Sequence, residues 1–387
     1  MSIAARSLAS PPLSATIRRV APRPPDALMT PEAMTEVFSI ADQLPAALTR
    51  WLYLECRLAA AAPQVDLIVS VEPDGRGCLL SQQGTRDDAL LRNPIWQRVL
   101  ALCTLWERDE DGSALGIERL WLEFDADDRA RRLGHHGPVP GVFCDLTETA
   151  YSDLDLDAQL ARIARLLTPL MDHPPAHGSL KGIRRVMDLL PPGAHVVYVG
   201  YLPARGRDTI RLCARAPESS CIPAYLEALH TFESEDDRQE LAMQLATLRR
   251  WHGEGRETVF HLDLAGDVVE PSLMVEYPLR TTPQIRGRFD EVAYLDALVH
   301  MGLCTPAKRH ALNEWPGIAH GTLDHECWST TLVRRVNHVK LVFAPGGVVA
   351  AKAYPCLFNK PRALTRAGPV LEPATAGHGE PRALLPV

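Results

Sequence analysis

Four basic residues stand at alternating positions within apolar runs of this sequence: Arg211 and Arg215 in Ile210–Arg215, Lys340 in His338–Phe343 and Lys352 in Val348–Tyr354. In an extended chain, alternation turns such residues away from the apolar side chains between them. Four cations converging on one interior would bind an anionic group such as a pyrophosphate through charge-assisted hydrogen bonds. Trp121 and Tyr354 fall on the same kind of face. There an aromatic ring would stabilise a developing carbocation electrostatically. Glu123 would accept a hydrogen bond from a nucleophilic acceptor, or take a proton off it.

Other chemistries compete for the same faces. His261-Leu262-Asp263 is an H-x-D pair. With His320 or His338 downstream it resembles the facial triad of iron(II)/2-oxoglutarate oxygenases, with Arg334 or Lys340 meeting a co-substrate carboxylate. That fold is a jelly roll of many short strands, without helix pairs between hairpins, so two satisfied residues on a polar strand face are the stronger reading. The four cations would equally hold carboxylates, in a non-catalytic partner protein that binds a peptide or a small anion. Asp125-Ala126-Asp127-Asp128, followed by Arg129, Arg131 and Arg132, reads as a solvated loop, with metal coordination the lesser alternative. Trp51, Trp96, Trp106, Trp251, Trp315 and Trp328 read as packing residues on or beside helices.

The elements that must position these residues follow from periodicity. Paired strands are predicted at Val65–Val71 with Arg76–Leu80, turned at Pro73-Asp74-Gly75, and at Arg119–Asp125 with Val142–Leu146, across a loop carrying His135 and His136. Further pairs are His195–Tyr201 with Ile210–Arg215, turned at Ala204-Arg205-Gly206, and Val259–Leu264 with Ser272–Tyr277, turned at Gly266-Asp267. The last is His338–Phe343 with Val348–Tyr354, turned at Pro345-Gly346-Gly347. Helices are predicted at Ala46–Ala61, Asp88–Trp106, Leu154–Met171, Leu180–Leu190, Ile222–Leu229, Asp236–Trp251, Phe289–His300 and Pro306–Trp315. Thr305-Pro306 is a start signal, with Thr capping and Pro in the first turn. The expected class is α+β: five repeated units of helix and β-hairpin, whose ten antiparallel strands form either an open sheet covered on one face or, the favoured reading, a closed barrel ringed by helices. Closure removes sheet edges, and the apolar strand faces must meet the helices.

This arrangement, over residues 46–356, resembles the prenyltransferase barrel of the ABBA-type aromatic prenyltransferases. Lys352-Ala353-Tyr354 is similar to the Lys-x-Tyr strand pattern of the indole-modifying branch. That branch's Arg-x-Lys-x-Tyr strand has no match; the nearest stretches are Arg211-Leu212-Cys213 and His338-Val339-Lys340-Leu341-Val342. With eight tyrosines the chain is poor in the residue that shields the cation in that family. The resemblance implies transfer of an allylic prenyl group from a prenyl diphosphate to an aromatic small molecule or a peptide side chain. Arg211, Arg215, Lys340 and Lys352 would then hold the diphosphate, Tyr354 and Trp121 would shield the cation, and Glu123 would orient or deprotonate the acceptor. It implies no obligatory cofactor, Mg²⁺ being compatible but not required. No DDxxD motif is present, which disfavours helical prenyl synthases.

Composition bounds the remaining classes. A formal charge of −7, from 41 basic and 48 acidic residues, disfavours a nucleic-acid partner. No apolar run reaches the ~18 residues of a membrane span. Nine scattered cysteines without a CxxC pair read as reduced thiols, and the expected location is cytoplasmic. Residues 1–30 and 360–387 read as disordered tails around a single barrel domain at 31–359.

Overall fold

The computed structural model describes residues 11–21, 24–59, 64–81, 93–109, 115–126, 137–148, 151, 153–203, 209–232, 234–252, 257–279, 292–323 and 329–361. Twelve strands lie among them: β1 (Trp51–Arg57), β2 (Val65–Val71), β3 (Ile117–Phe124), β4 (Gly141–Leu146), β5 (His195–Tyr201) and β6 (Thr209–Ala216), then β7 (Thr258–Ala265), β8 (Val268–Val269), β9 (Leu273–Pro278), β10 (Gly317–Thr322), β11 (Ser329–Ala344) and β12 (Gly347–Pro361). Each of β1 to β7 pairs antiparallel with the next; β7 then pairs with β9, β9 with β11 and β11 with β12. The ring closes where β12 meets β1, in the register Tyr53↔Cys356 and Arg57↔Lys352. Ten strands therefore form a closed antiparallel barrel. β8 extends the edge of β7, and β10 pairs with the Ser329–Arg334 part of β11, outside the ring.

Ten helices lie among the described residues. In chain order α1 (Leu13–Val20) and α2 (Pro31–Ala41) precede β1, and α3 (Pro73–Ser81) and α4 (Pro94–Glu107) follow β2. α5 (Leu156–Met171) and α6 (His177–Asp188) separate β4 from β5, and α7 (Ile222–Ala228) and α8 (Glu235–His252) separate β6 from β7. α9 (Val292–His300) and α10 (Pro306–Glu314) follow β9. The start signal at Thr305-Pro306 holds, since Thr305 Oγ accepts the Lys308 N–H at 3.2 Å. Outward residues such as Leu67, Val69, Leu122, Leu212, Leu262, Val275 and Leu341 join the helices in one large apolar core. The inward residues Tyr53, Trp121, Phe143, Tyr198, Cys213 and Tyr354 form a separate, smaller cluster.

Three expectations are corrected. The predicted helix Ala46–Ala61 contains a 3₁₀ turn at Ala46–Leu48 and then strand β1. Trp-Leu-Tyr-Leu-Glu-Cys is apolar on both faces except at Glu55, because both are covered, and such a run carries little period to separate strand from helix. The predicted strand Arg76–Leu80 and its turn are helix α3. Pro73 suits a first helical turn, and Gly75 serves close approach: a Cβ there would stand 2.0 Å from the Leu48 carbonyl oxygen. The first hairpin is thus β1 with β2, through Glu55↔Asp66. Within the predicted N-terminal tail, residues 13–20 form α1, whose Leu13, Ile17 and Val20 share one buried face. β11 and β12 extend beyond their predicted ends, and Trp51 belongs to β1, its ring stacked on Phe358 at 5.2 Å. His135, His136, the Ala204-Arg205-Gly206 turn, Asp127, Asp128, Arg129, Arg131, Arg132 and Trp328 lie outside the described residues.

Candidate active site inside the barrel

The inward faces build two adjoining cavities. The larger, about 580 Å³, is lined by Arg57, Arg211, Lys340 and Lys352 and by Glu55, Glu123 and Asp263, with Tyr354 at its base. The smaller, about 40 Å³, is walled by Tyr53, Ile68, Trp121, Phe143 and Tyr198, with Cys213, His261 and Glu276 on its polar side. Glu123, Lys340 and Tyr354 line both. The larger volume lies within the range of roughly 300–1,000 Å³ usual for small-molecule sites.

Strand register explains which side chains meet. Arg211 of β6 stands opposite Asp263 of β7, and the guanidinium binds the carboxylate twice, at 2.6 and 2.8 Å. The Asp263 charge outweighs burial, which alone would lower the Arg211 pKa, and holds it above the usual arginine range. Lys352 of β12 and the Tyr354 hydroxyl both donate to Glu55 of β1. Burial pushes the Glu55 pKa up, but the charges of Lys352 and Lys340 and these two hydrogen bonds pull it well below the carboxylate range. Asp66, opposite Glu55, is pushed up to about 7, first by burial and then by the Glu55 charge. Lys340 of β11 lies 3.0 Å from Glu276 of β9 and 4.8 Å from the centre of the Tyr354 ring, a cation–π contact.

Below the aromatic pocket sit two buried histidines. His261 Nε2 is 2.6 Å from one Glu276 oxygen and His338 Nε2 is 3.5 Å from the other. Burial lowers both histidine pKa values, that of His338 to about 4, so both rings are neutral at pH 7. The His338 ring stacks on Tyr354 with centroids 4.0 Å apart, and Tyr53 lies 5.3 Å from Trp121. Gly200 leaves room for this pocket, since a Cβ there would fall 2.4 Å from the Phe143 ring. Arg119 lies 3.1 Å from Asp145, which also takes a hydrogen bond from Trp121.

Of the residues singled out in the sequence, Arg211, Lys340, Lys352, Glu123 and Tyr354 share the larger cavity, and Trp121 stands in the adjoining pocket. Arg215 does not join them. Four residues from Arg211, or roughly 13 Å along the strand, it faces the other end of the barrel, 4.0 Å from Glu257. The sequence reading missed Glu55 and Tyr53, hidden in the segment read as helix. It placed Asp263 on a polar strand face without seeing that it neutralises Arg211 opposite, and it did not single out Glu276, the partner of Lys340. The H-x-D pair is divided between partners, Asp263 on Arg211 and His261 on Glu276, while His320 is exposed on β10. Among the described residues no three His, Cys, Asp or Glu side chains converge as a metal site, and no helix is long and apolar enough to cross a membrane.

No protein-family model matches the chain, and no curated protein matches it by sequence. Among solved structures the chain is similar to AnaPT from Neosartorya fischeri, with 14% identity over 80% of this chain and 78% of that one and a TM-score of 0.42. It is similar to the 6-dimethylallyltryptophan synthase from Micromonospora olivasterospora, solved in complex with DMASPP and Trp, with 12% identity over 88% and 95% and a TM-score of 0.49. It is also similar to NotF prenyltransferase, with 10% identity over 80% of each chain and a TM-score of 0.44.

Proposed function

We propose that this barrel transfers an allylic prenyl group from a diphosphate donor to an aromatic acceptor, either a small molecule or a peptide side chain. The observation that carries the reading is the junction of the two cavities: a chamber with Arg211, Lys340 and Lys352 opens onto an aromatic pocket through Glu123, Lys340 and Tyr354. The cations stabilise charge as it develops on the leaving diphosphate, an electrostatic effect strongest where the donors are already fixed. Arg57, Arg211, Lys340 and Lys352 against Glu55, Glu123 and Asp263 leave the chamber lining with one excess positive charge. The faces of Tyr354, Tyr53 and Trp121 shelter the allylic cation, and Glu123 orients a polar hydrogen of the acceptor. With no converging set of metal-binding side chains among the described residues, any Mg²⁺ would enter held by the diphosphate itself.

Calorimetric titration with dimethylallyl and geranyl thiolodiphosphates, unreactive donor mimics, tests the reading. Saturable micromolar binding is expected. Lys340→Met/Lys352→Met keeps side-chain volume and removes two charge-assisted contacts, so affinity should fall roughly 100-fold or more. Absence of binding to the unmodified protein, or undiminished binding to the folded double variant, overturns it.

A further inference from the structure

Transfer of an allyl group to an aromatic carbon leaves one proton to be removed, and the barrel offers a specific place for it. Glu276 is 1% exposed and is the one residue shared by the linings of the aromatic pocket and of a small cavity toward Glu257. It does not line the diphosphate-sized chamber. His261, His338 and Lys340 surround its carboxylate, yet neither oxygen accepts an aligned hydrogen bond among the described residues. The Asn337 amide donates to His338 Nδ1 at 3.0 Å and so fixes that ring's hydrogen at Nε2, while the Cys213 thiol lies 3.2 Å from His261 Nδ1. His338 Nε2 can then take no proton, and the Glu276 carboxylate, which faces both cavities, is the acceptor.

Resting on the transferase reading above, we propose that Glu276 is the general base that receives the aromatic ring proton and sends it toward the Glu257 end of the barrel, away from the diphosphate. The C1–O bond of the donor breaks with its electron pair leaving on diphosphate, and C1 bonds to a ring carbon. The C–H bond at that carbon then breaks, its electrons restoring the aromatic ring and its proton passing to a Glu276 oxygen. The Glu257 side chain, 67% exposed, places the exit in contact with water. Proton and diphosphate therefore leave by opposite ends, and the protonated carboxyl releases Lys340 from its ion pair while the diphosphate product is still in the chamber.

The test uses dimethylallyl diphosphate with indoles and phenols, ring-protiated and ring-deuterated, alongside binding of the thiolodiphosphate. In the unmodified enzyme both isotopologues should react equally fast, because ionisation limits the rate. Glu276→Gln should slow transfer by roughly 10²–10⁴-fold, the usual worth of a general base, and make the deuterated ring react measurably slower. Glu276→Asp, which keeps the charge and guards against a Gln variant that does not fold, should show a smaller loss with the isotope effect still visible. Equal isotopologue rates in both folded variants would assign the proton to the departing diphosphate or to Glu123 and overturn the proposal. A protein that binds the thiolodiphosphate but alkylates no arene also overturns it, while the donor site stands. Failure to bind the mimic at all removes the transferase reading first.

Discussion

Each barrel strand presents two chemically opposite faces. On β7, Phe260, Leu262 and Leu264 meet the helices, whereas Val259, His261 and Asp263 turn inward, and both sets are buried. Outside, burial needs only shape, because apolar contact is non-directional. Inside, every buried charge needs a partner at the right height on the neighbouring strand, as with Arg211 and Asp263, Lys352 and Glu55, or Lys340 and Glu276. The outer face therefore accounts for the stability of the barrel. The inner face depends on register, since a slip of one residue would exchange the two faces.

The sharpest way to break this contrast is to leave an inner charge alone. Asp263→Ala strands the Arg211 guanidinium, which is 3% exposed, and should cost about 3–5 kcal/mol in urea unfolding. Arg211→Met/Asp263→Leu, which removes both charges, should recover most of that loss. A single variant as stable as the parent would show that water reaches the pair. On the outer face of the same strand, Leu262→Ala should cost about 3 kcal/mol through lost transfer energy and the cavity left behind. No companion substitution should rescue it in the way that pair removal rescues Asp263→Ala.

This contrast also explains what the sequence could tell. Where one face is apolar and the other polar, as in Leu120-Trp121-Leu122-Glu123 or Ile210-Arg211-Leu212, alternation located the strand and the direction of its side chains. Nine of the ten barrel strands and five of the chamber residues follow from that pattern, while closure of the barrel rested on the removal of sheet edges. β1 escaped because Tyr53 is inward yet apolar, so Trp51 to Cys56 shows no polar stripe except Glu55. Losing β1 meant losing Glu55, the residue that organises Lys352 and Tyr354. Arg215 failed for another reason: alternation gives a face but not a height, and only the neighbouring strands show that the chamber lies at the level of Arg211 and not of Arg215. The pairings of Glu276 with residues of β7 and β11 depend on strand neighbours, which no local pattern in the chain specifies.

Protonation separates the two faces further, because the inner one carries Asp66 and His338, whose titration burial shifts in opposite senses. Folded Asp66 keeps its proton up to about pH 7, whereas the unfolded carboxyl releases it near its ordinary value of 3.8. Its contribution to stability is therefore full below pH 4 and declines as pH rises toward 7. The depressed His338, at about 4, acts in the opposite direction: its contribution is full above 6.5 and declines as pH falls through 4. Asp66→Asn, which keeps an oxygen for the Gln64 amide and the Ala126 N–H, should raise stability at pH 8 by about 1–3 kcal/mol and leave it nearly unchanged at pH 4. Urea midpoints at the two pH values measure the difference. Equal gains at both would mean that Asp66 titrates normally in the folded chain.

The smallest expected effect divides the inner face itself. Arg215 shares a strand and a face with Arg211 but lies beside Glu257, Asn337 and His338 at the far end. If the chamber holds the diphosphate by direct contacts, Arg215→Gln should leave the affinity for the thiolodiphosphate within about a factor of three, because the Glu257 carboxylate 4.0 Å away offsets most of the Arg215 charge. Alone, across roughly 13 Å at an effective dielectric near 20, that charge would contribute about 1.3 kcal/mol per unit of ligand charge. If instead the whole lumen acts as one positive field, Arg215→Gln should weaken binding nearly as much as Lys352→Met does. Titrating both variants at low and at moderate salt separates these cases, since a long-range field loses strength over a Debye length of about 10 Å at 0.1 M salt while a contact within the chamber does not. The arrangement of carboxylates predicts the first outcome. Between Arg215 and the chamber stand Glu276 and the neutral His261, and a carboxylate in that position offsets the charge of Arg215 before it can reach the donor.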